Sequence, residues 1–325
     1  MSSGGGTRAV VAALIANLGI AVTKFIAFAL TQSSSMLAES IHSVADSGNQ
    51  GLLLLGGKRS RREATPEHPF GYGRDRYIYA FIVSIVLFSV GGLFALYEAY
   101  HKISHPEPIE NWQWVPIAVL VIAIGLESYS FRTAIHESNQ VRGTTGWVQF
   151  VRRAKAPELP VVLLEDAGAL LGLVFALFGV VLTLITHNGV WDGIGTAAIG
   201  LLLVSIAAVL ALETKSLLLG EGATPEDVRK IEQAFLSGKG VERIIHMKTL
   251  YLGPEELLVA AKIAVPRTER ADEIAAHINE AEARIREVLP IARVIYIEPD
   301  IYSPSAAAAP IAGAQTVDTA PPAHA

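Results

Sequence analysis

His42 and Asp46 stand four residues apart in SSMLAESIHSVADSGNQGLLLLGG, residues 34–57. That spacing is about one helical turn, so an imidazole and a carboxylate share one face. Asn49 continues the face, and Glu39 lies three residues before His42. The rest of the stretch is mostly apolar or small. About 20 residues at ~1.5 Å each cover the ~30 Å of a bilayer's hydrocarbon. Ionisable groups at that depth are costly and mark ion or proton pathways. An imidazole stacked with a carboxylate suits a divalent transition metal such as zinc. A buried His–Asp hydrogen bond joining two helices is the alternative.

A second acidic pair, Glu165 and Asp166, lies in PVVLLEDAGALLG. Adjacent residues are about 100° apart around a helix, so the two cannot easily face one point. Glu165 shares a face with Gly168 and Gly172, a small-residue surface suited to close helix contact. One of the pair is expected to reach a metal cavity and the other to meet solvent, a cation or a proton. Spacing alone does not choose. Glu127, in AIGLESYSF, is a candidate proton carrier or a partner in a helix–helix hydrogen bond. Glu39 and Asn49 are candidates for the proton route or for hydrogen-bonding to the ligands. Asn17 and Lys24 read as packing or anchoring groups, with Lys24 snorkelling toward the far interface. Asp192 reads as the N-cap of its own helix. For His68, His246 and His277, surface, turn or packing roles are expected, and their residue type leaves metal binding open.

The elements that position these groups follow from composition. The 325 residues are 51% hydrophobic and 18% charged, below the ~25% charged usual for soluble domains, which places the chain among membrane proteins. A net charge of −5 gives no overall basic field, so no nucleic-acid partner is expected. The chain has no cysteine, which removes disulfides, thiolate zinc sites and cysteine nucleophiles together. No H-E-x-x-H string, nucleophile elbow or phosphate loop occurs, so an enzyme is not expected. The start, MSSGGGTRAVV, shows neither a secretory signal nor an Arg-rich transit segment.

Six apolar segments are long enough to span, at 9–30, 34–57, 77–100, 114–131, 160–186 and 189–212. An even number puts both termini on one side. The loop after the second holds Lys58, Arg59, Arg61, Arg62, Arg74 and Arg76, and the loop after the fourth holds Arg132, Arg142, Arg152, Arg153 and Lys155. The opposite loops hold only Lys102. The positive-inside rule then places both termini and both basic loops in the cytoplasm. The expected setting is a bacterial plasma membrane.

From Gly220 the pattern changes. Thr224-Pro225-Glu226-Asp227 is a helix start, followed by apolar Val228, Ile231 and Phe235 at helical spacing. Two β-like runs, 242–252 and 256–265, flank Gly253-Pro254. A helical period covers 271–289, and a last strand covers 292–298. The expected fold is thus a six-helix transmembrane bundle followed by a small α+β domain of order αββαβ, ferredoxin-like and cytoplasmic. Its expected domains are a transport domain at 1–219, the αββαβ domain at 220–300 and a disordered Ala/Pro-rich tail at 301–325.

Asn17, Lys24, SSSMLAESIHSVAD and the HPFGYGRDRY turn together resemble the cation diffusion facilitator family of metal–proton antiporters. ESIHSVADSGNQG, HPFGYG and LLEDAGALLG resemble its branch typified by zinc transporter nine. The resemblance covers about residues 9–300. It implies export of a divalent metal, zinc first, from the cytoplasm by proton antiport, with no prosthetic group. It also implies a homodimer whose partners are the metal ion, protons and membrane lipid. The family's tetrahedral site takes two side chains from the second span and two from the fifth. His42 and Asp46 match the first pair, and Asp166 matches the last position. Val162 stands where the family has histidine. A retained water, Glu165 or Glu127 would fill that place. Manganese, iron or cobalt as cargo, or a non-transporting metal sensor or scaffold, remain alternatives.

Overall fold

The computed structural model describes residues 3–107, 109 and 112–303. Most of the Ala/Pro-rich tail expected to be disordered, from 304 on, lies outside the described residues. The described residues form two compact units, one of 3–59 and 75–215, the other of 60–74 and 216–303.

The first unit is helical. Helix α1 (Ser3–Thr31) meets α2 (Ser34–Arg59) through a two-residue turn, with Gln32 in the left-handed region at φ 57°. Helix α3 (Asp75–Val86) passes through a π-helical stretch, Leu87–Leu93, into α4 (Phe94–Ser104). Helix α5 (Trp114–Arg142) outruns the 114–131 segment predicted from apolarity, because its polar last turns still form helix beyond any hydrocarbon. The short α6 (Trp147–Arg153) follows, then α7 (Glu158–Thr186) and α8 (Val190–Leu219).

Four described helices are long and apolar enough to cross a membrane: Asp75–Ser104, Trp114–Arg142, Glu158–Thr186 and Val190–Leu219. Asn17–Thr31 is apolar but shorter. Helix α2 is diluted by the polar and ionisable side chains that give it interest. Leu87, Leu120, Leu173, Ile199 and Leu203 centre the apolar core. The outer surface is also apolar, with Val121, Ile122, Phe178 and Ile185 exposed, while Lys24, Glu39, His42 and Asn49 are buried. Polar inside and apolar outside is the arrangement hydrocarbon imposes.

The second unit is built in the opposite way. Helix α9 (Pro225–Leu236) starts at Thr224, whose hydroxyl accepts from the Asp227 amide at 3.2 Å. Strand β1 (Arg243–Gly253) runs antiparallel to β2 (Glu256–Ala264). Helix α10 (Ala271–Val288) crosses over to β3 (Val294–Asp300), parallel to β2. The sheet order is β1-β2-β3. Ile231, Phe235, Met247, Leu257 and Ile285 fill the core between sheet and helices. Residues 60–74 join this unit because Gly73 lies against Leu252 and Gly253, where a Cβ would come within 2.8 Å of the Leu252 carbonyl oxygen.

Candidate functional site

Helix α2 is set in place by its first turn. Asp192 accepts from the Ser34 amide at 2.8 Å and the Ser35 amide at 3.3 Å, and from the Ser33 hydroxyl at 3.0 Å. The expected N-cap of α8 thus caps α2 instead. Amides at α8's own start already have acceptors, Val190 N–H donating to Asn188 Oδ1 and Asp192 N–H to Thr183 Oγ1, whereas the three serines at the hairpin offer Asp192 their donors. A carboxylate at a helix N-terminus is also favoured by the helix dipole.

One turn further in, Lys24 of α1 is buried, with its ammonium 3.0 Å from Glu39 Oε2 and donating to Ser43 Oγ at 2.7 Å. The expected snorkel does not occur, because an opposite charge lies closer than the interface does. Glu39 Oε1 has no hydrogen-bond partner and points at α7. Gly172 makes this approach possible, since a Cβ there would meet Glu39 Oε1 at 2.7 Å.

His42 is buried at 1% exposure. Its Nε2 lies 3.5 Å from Asp46 Oδ2, as the four-residue spacing predicts. Neither ring nitrogen has a hydrogen-bond partner, and neither does Asp46 Oδ1. A buried polar atom left unmatched is costly, so such a cluster calls for an explanation. Asp46 opens onto a small polar cavity of about 10 Å³, room for about one water-sized particle. Asn17, Ser43, Gln50, Glu127, Glu165 and Asp166 also line it.

Both members of the acidic pair on α7 reach this cavity, which corrects the expectation that only one would. Their 100° separation is met from two sides. Glu165 Oε1 accepts from Asn49 Nδ2 of α2 at 2.7 Å, and Asp166 Oδ2 from Ser130 Oγ of α5 at 2.9 Å. Glu127 comes from the same α5 helix, three residues before Ser130. Val162 lines the cavity too.

Four of the predicted residues, Asp46, Glu127, Glu165 and Asp166, thus put carboxylates on one void. His42, Glu39 and Asn49 do not line it; His42 approaches through Asp46, and Asn49 through Glu165. Among the described residues, no three His, Asp or Glu side chains converge closely enough to hold an ion as they stand. Glu165 and Asp166 are each turned to a hydrogen-bond donor. Asn17, Ser43 and Gln50 as lining groups, and Ser130 as the partner of Asp166, are not foreseen from the sequence. A polar residue recurring in an otherwise apolar span was the available signal.

The histidines outside this unit lie elsewhere. His68 rests against the Tyr72 ring at 4.7 Å, and His277 Nδ1 lies 3.4 Å from Glu269 Oε2. His246 sits on the sheet face beside Lys248 and Lys262.

The chain is 34% identical over 243 residues to the Mus musculus protein named proton-coupled zinc antiporter SLC30A9, mitochondrial; this is 74% of the chain and 42% of the relative. It is 32% identical over 242 residues to the Homo sapiens protein of that name, again 74% and 42%. To metal tolerance protein C4 of Arabidopsis thaliana it is 28% identical over 260 residues, 79% of the chain and 56% of the relative. The chain spans about two fifths of the length of the SLC30A9 relatives it matches. Their mitochondrial naming overturns the expected bacterial plasma membrane. Hydropathy and loop charge register a bilayer and a side, not which bilayer, so "cytoplasmic" gives way to "the face of the basic loops". The model of the cation efflux transmembrane domain matches residues 10–219, and the chain belongs to the cation efflux family.

Proposed function

We propose that the protein moves zinc from the face of the basic loops to the opposite face in exchange for protons. The observation that carries this reading is the pair of unpartnered imidazole nitrogens and the unpartnered Asp46 oxygen beside a carboxylate-walled void. The relatives' names agree with it. His42, Asp46, Asp166 and Glu165 are the assigned metal ligands. Glu39, Asn49 and Glu127 hold the ligands or pass the proton. Carboxylates and imidazole bind metal deprotonated, so loading releases protons and reprotonation from the other face expels the ion. Glu165 and Asp166 each engage one oxygen in these hydrogen bonds and keep the other for a metal. Because no three ligands among the described residues converge as they stand, α2, α5 and α7 must shift against one another to close on zinc.

In this reading six rods span: α1, α2, the α3–α4 rod, α5, α7 and α8. The transport domain is 1–219. The αββαβ unit, 220–300, is a ferredoxin-like pattern without its first strand and pairs two copies into a homodimer. The protein does no covalent chemistry. The relatives' printed location makes a mitochondrial membrane the first place to look for it.

The test uses full-length protein in sealed vesicles with a trapped pH dye. Imposed zinc is expected to drive proton flux, and Asp166→Asn to abolish it. Wild-type zinc flux that leaves the dye unmoved would refute antiport. Flux unchanged in Asp166→Asn would refute the site.

A further inference from the structure

We infer that the membrane unit carries a binding site for an anionic phospholipid on the face of the basic loops, in the cleft between α5, α6, α7 and α8. The cleft measures about 700 Å³, and Phe131, Val151, Leu164, Ala167 and Leu212 line it from all four helices. That volume is within the ~300–1,000 Å³ of small-molecule sites. Its only charged lining groups are Arg152 and Glu213, whose side chains approach to 3.6 Å at the rim. Such a wall offers an acyl chain a dry surface and offers an aqueous solute little.

Helix α6 builds the mouth. Phe150 turns inward to pack with Ala134 and Leu163, while Val148 stays 74% exposed. The Arg142 guanidinium stacks 4.1 Å above the Trp147 ring. A tryptophan with an arginine over it, on a short helix with apolar and cationic sides, is built for the headgroup layer. Between 142 and 155 the chain holds Arg142, Arg152, Arg153 and Lys155 and no carboxylate. Basic pockets between spanning helices on this side select anionic headgroups. A second copy is a poorer occupant, because a self-complementary contact would set the four cations of the 142–155 segment against their own copies, with Glu213 the one acidic group lining the cleft.

The site has a route to the transport machinery. Helix α7 gives Leu163, Leu164 and Ala167 to the cleft, and Glu165 and Asp166 to the polar cavity. A chain seated in the cleft fixes the face of α7 behind both carboxylates.

The test is lipid retention by the full-length protein after exchange with equimolar phosphatidylglycerol and phosphatidylcholine, read by native mass spectrometry. Wild type is expected to keep phosphatidylglycerol at least tenfold over phosphatidylcholine. Arg152→Gln with Arg153→Gln is expected to bring that ratio within twofold, while Arg152→Lys with Arg153→Lys keeps it. Equal retention by wild type, or a ratio unmoved in the glutamine variant, overturns the site. The chain has no cysteine, so Leu212→Cys reports on the other occupant. Disulfide cross-linking of Leu212→Cys in vesicles would place a second copy in the cleft and also overturn it; lipid kept with no cross-link formed supports it.

Discussion

The two units of this chain use one set of residue types in opposite ways. In the sheet unit Phe235, Met247 and Ile231 are buried, and Lys230, Arg270 and Arg286 pair with carboxylates at the surface. In the helical unit Val121, Ile122, Leu171 and Ile185 cover the outside as well, and Lys24, Glu39, His42 and Asn49 are enclosed. Histidine makes the contrast sharpest. His277 is partly exposed beside Glu269, whereas His42 is shut in with no hydrogen-bond partner for either ring nitrogen. Water can serve the first at little cost. The second is closed off from solvent, so surroundings rather than residue type single it out.

The contrast breaks most visibly at Asp46. Asp46→Ala is expected to cut zinc-driven proton flux by more than about 100-fold, beyond the ~10–100-fold typical of losing an outer hydrogen-bond partner of a metal ligand. Retained flux would mean that the enclosed pair is only structural.

Next comes the enclosed ion pair. Lys24→Met leaves Glu39 buried without its cation and is expected to cost about 3–5 kcal/mol, read as a fall in melting temperature in detergent. Adding Glu39→Gln is expected to restore most of it. Equal losses in the single and double variants would show that Lys24 acts through packing.

The sheet unit supplies a comparable test. Phe235→Ala is expected to cost about 3–5 kcal/mol. Hydrogen exchange is expected to rise in β1–β3 and to stay unchanged in α2. Loss of protection in both would show that the units unfold together. The smallest effect is expected at His246→Ala with His277→Ala, where zinc-driven flux stays within twofold of wild type. A tenfold fall would move metal chemistry into the sheet unit.

The order of elements was legible because hydropathy and period are local properties. The break after Gly220, the Thr224 helix start and the αββαβ order are read from runs of a few residues. The i, i+4 meeting of His42 and Asp46 was legible for the same reason. Lys24 was misread, and so was Asp192, because each finds its partner on another helix: Glu39 across one hairpin, and the serines at 33–35 from far along the chain. Helical spacing gives the angle between Glu165 and Asp166 but not what stands at either bearing. Asn49 and Ser130 stand there, and that follows only from packing.

The Asp192 clasp has a mechanical consequence. It pins the first residues of α2, so any tilt of that helix turns about Ser34, and displacement grows with distance from the pin. Asp46 lies twelve residues along, about 18 Å at ~1.5 Å per residue. A swing of about ten degrees would carry its carboxylate roughly 3 Å, enough to make or break a coordination bond, while the serine anchor hardly stirs.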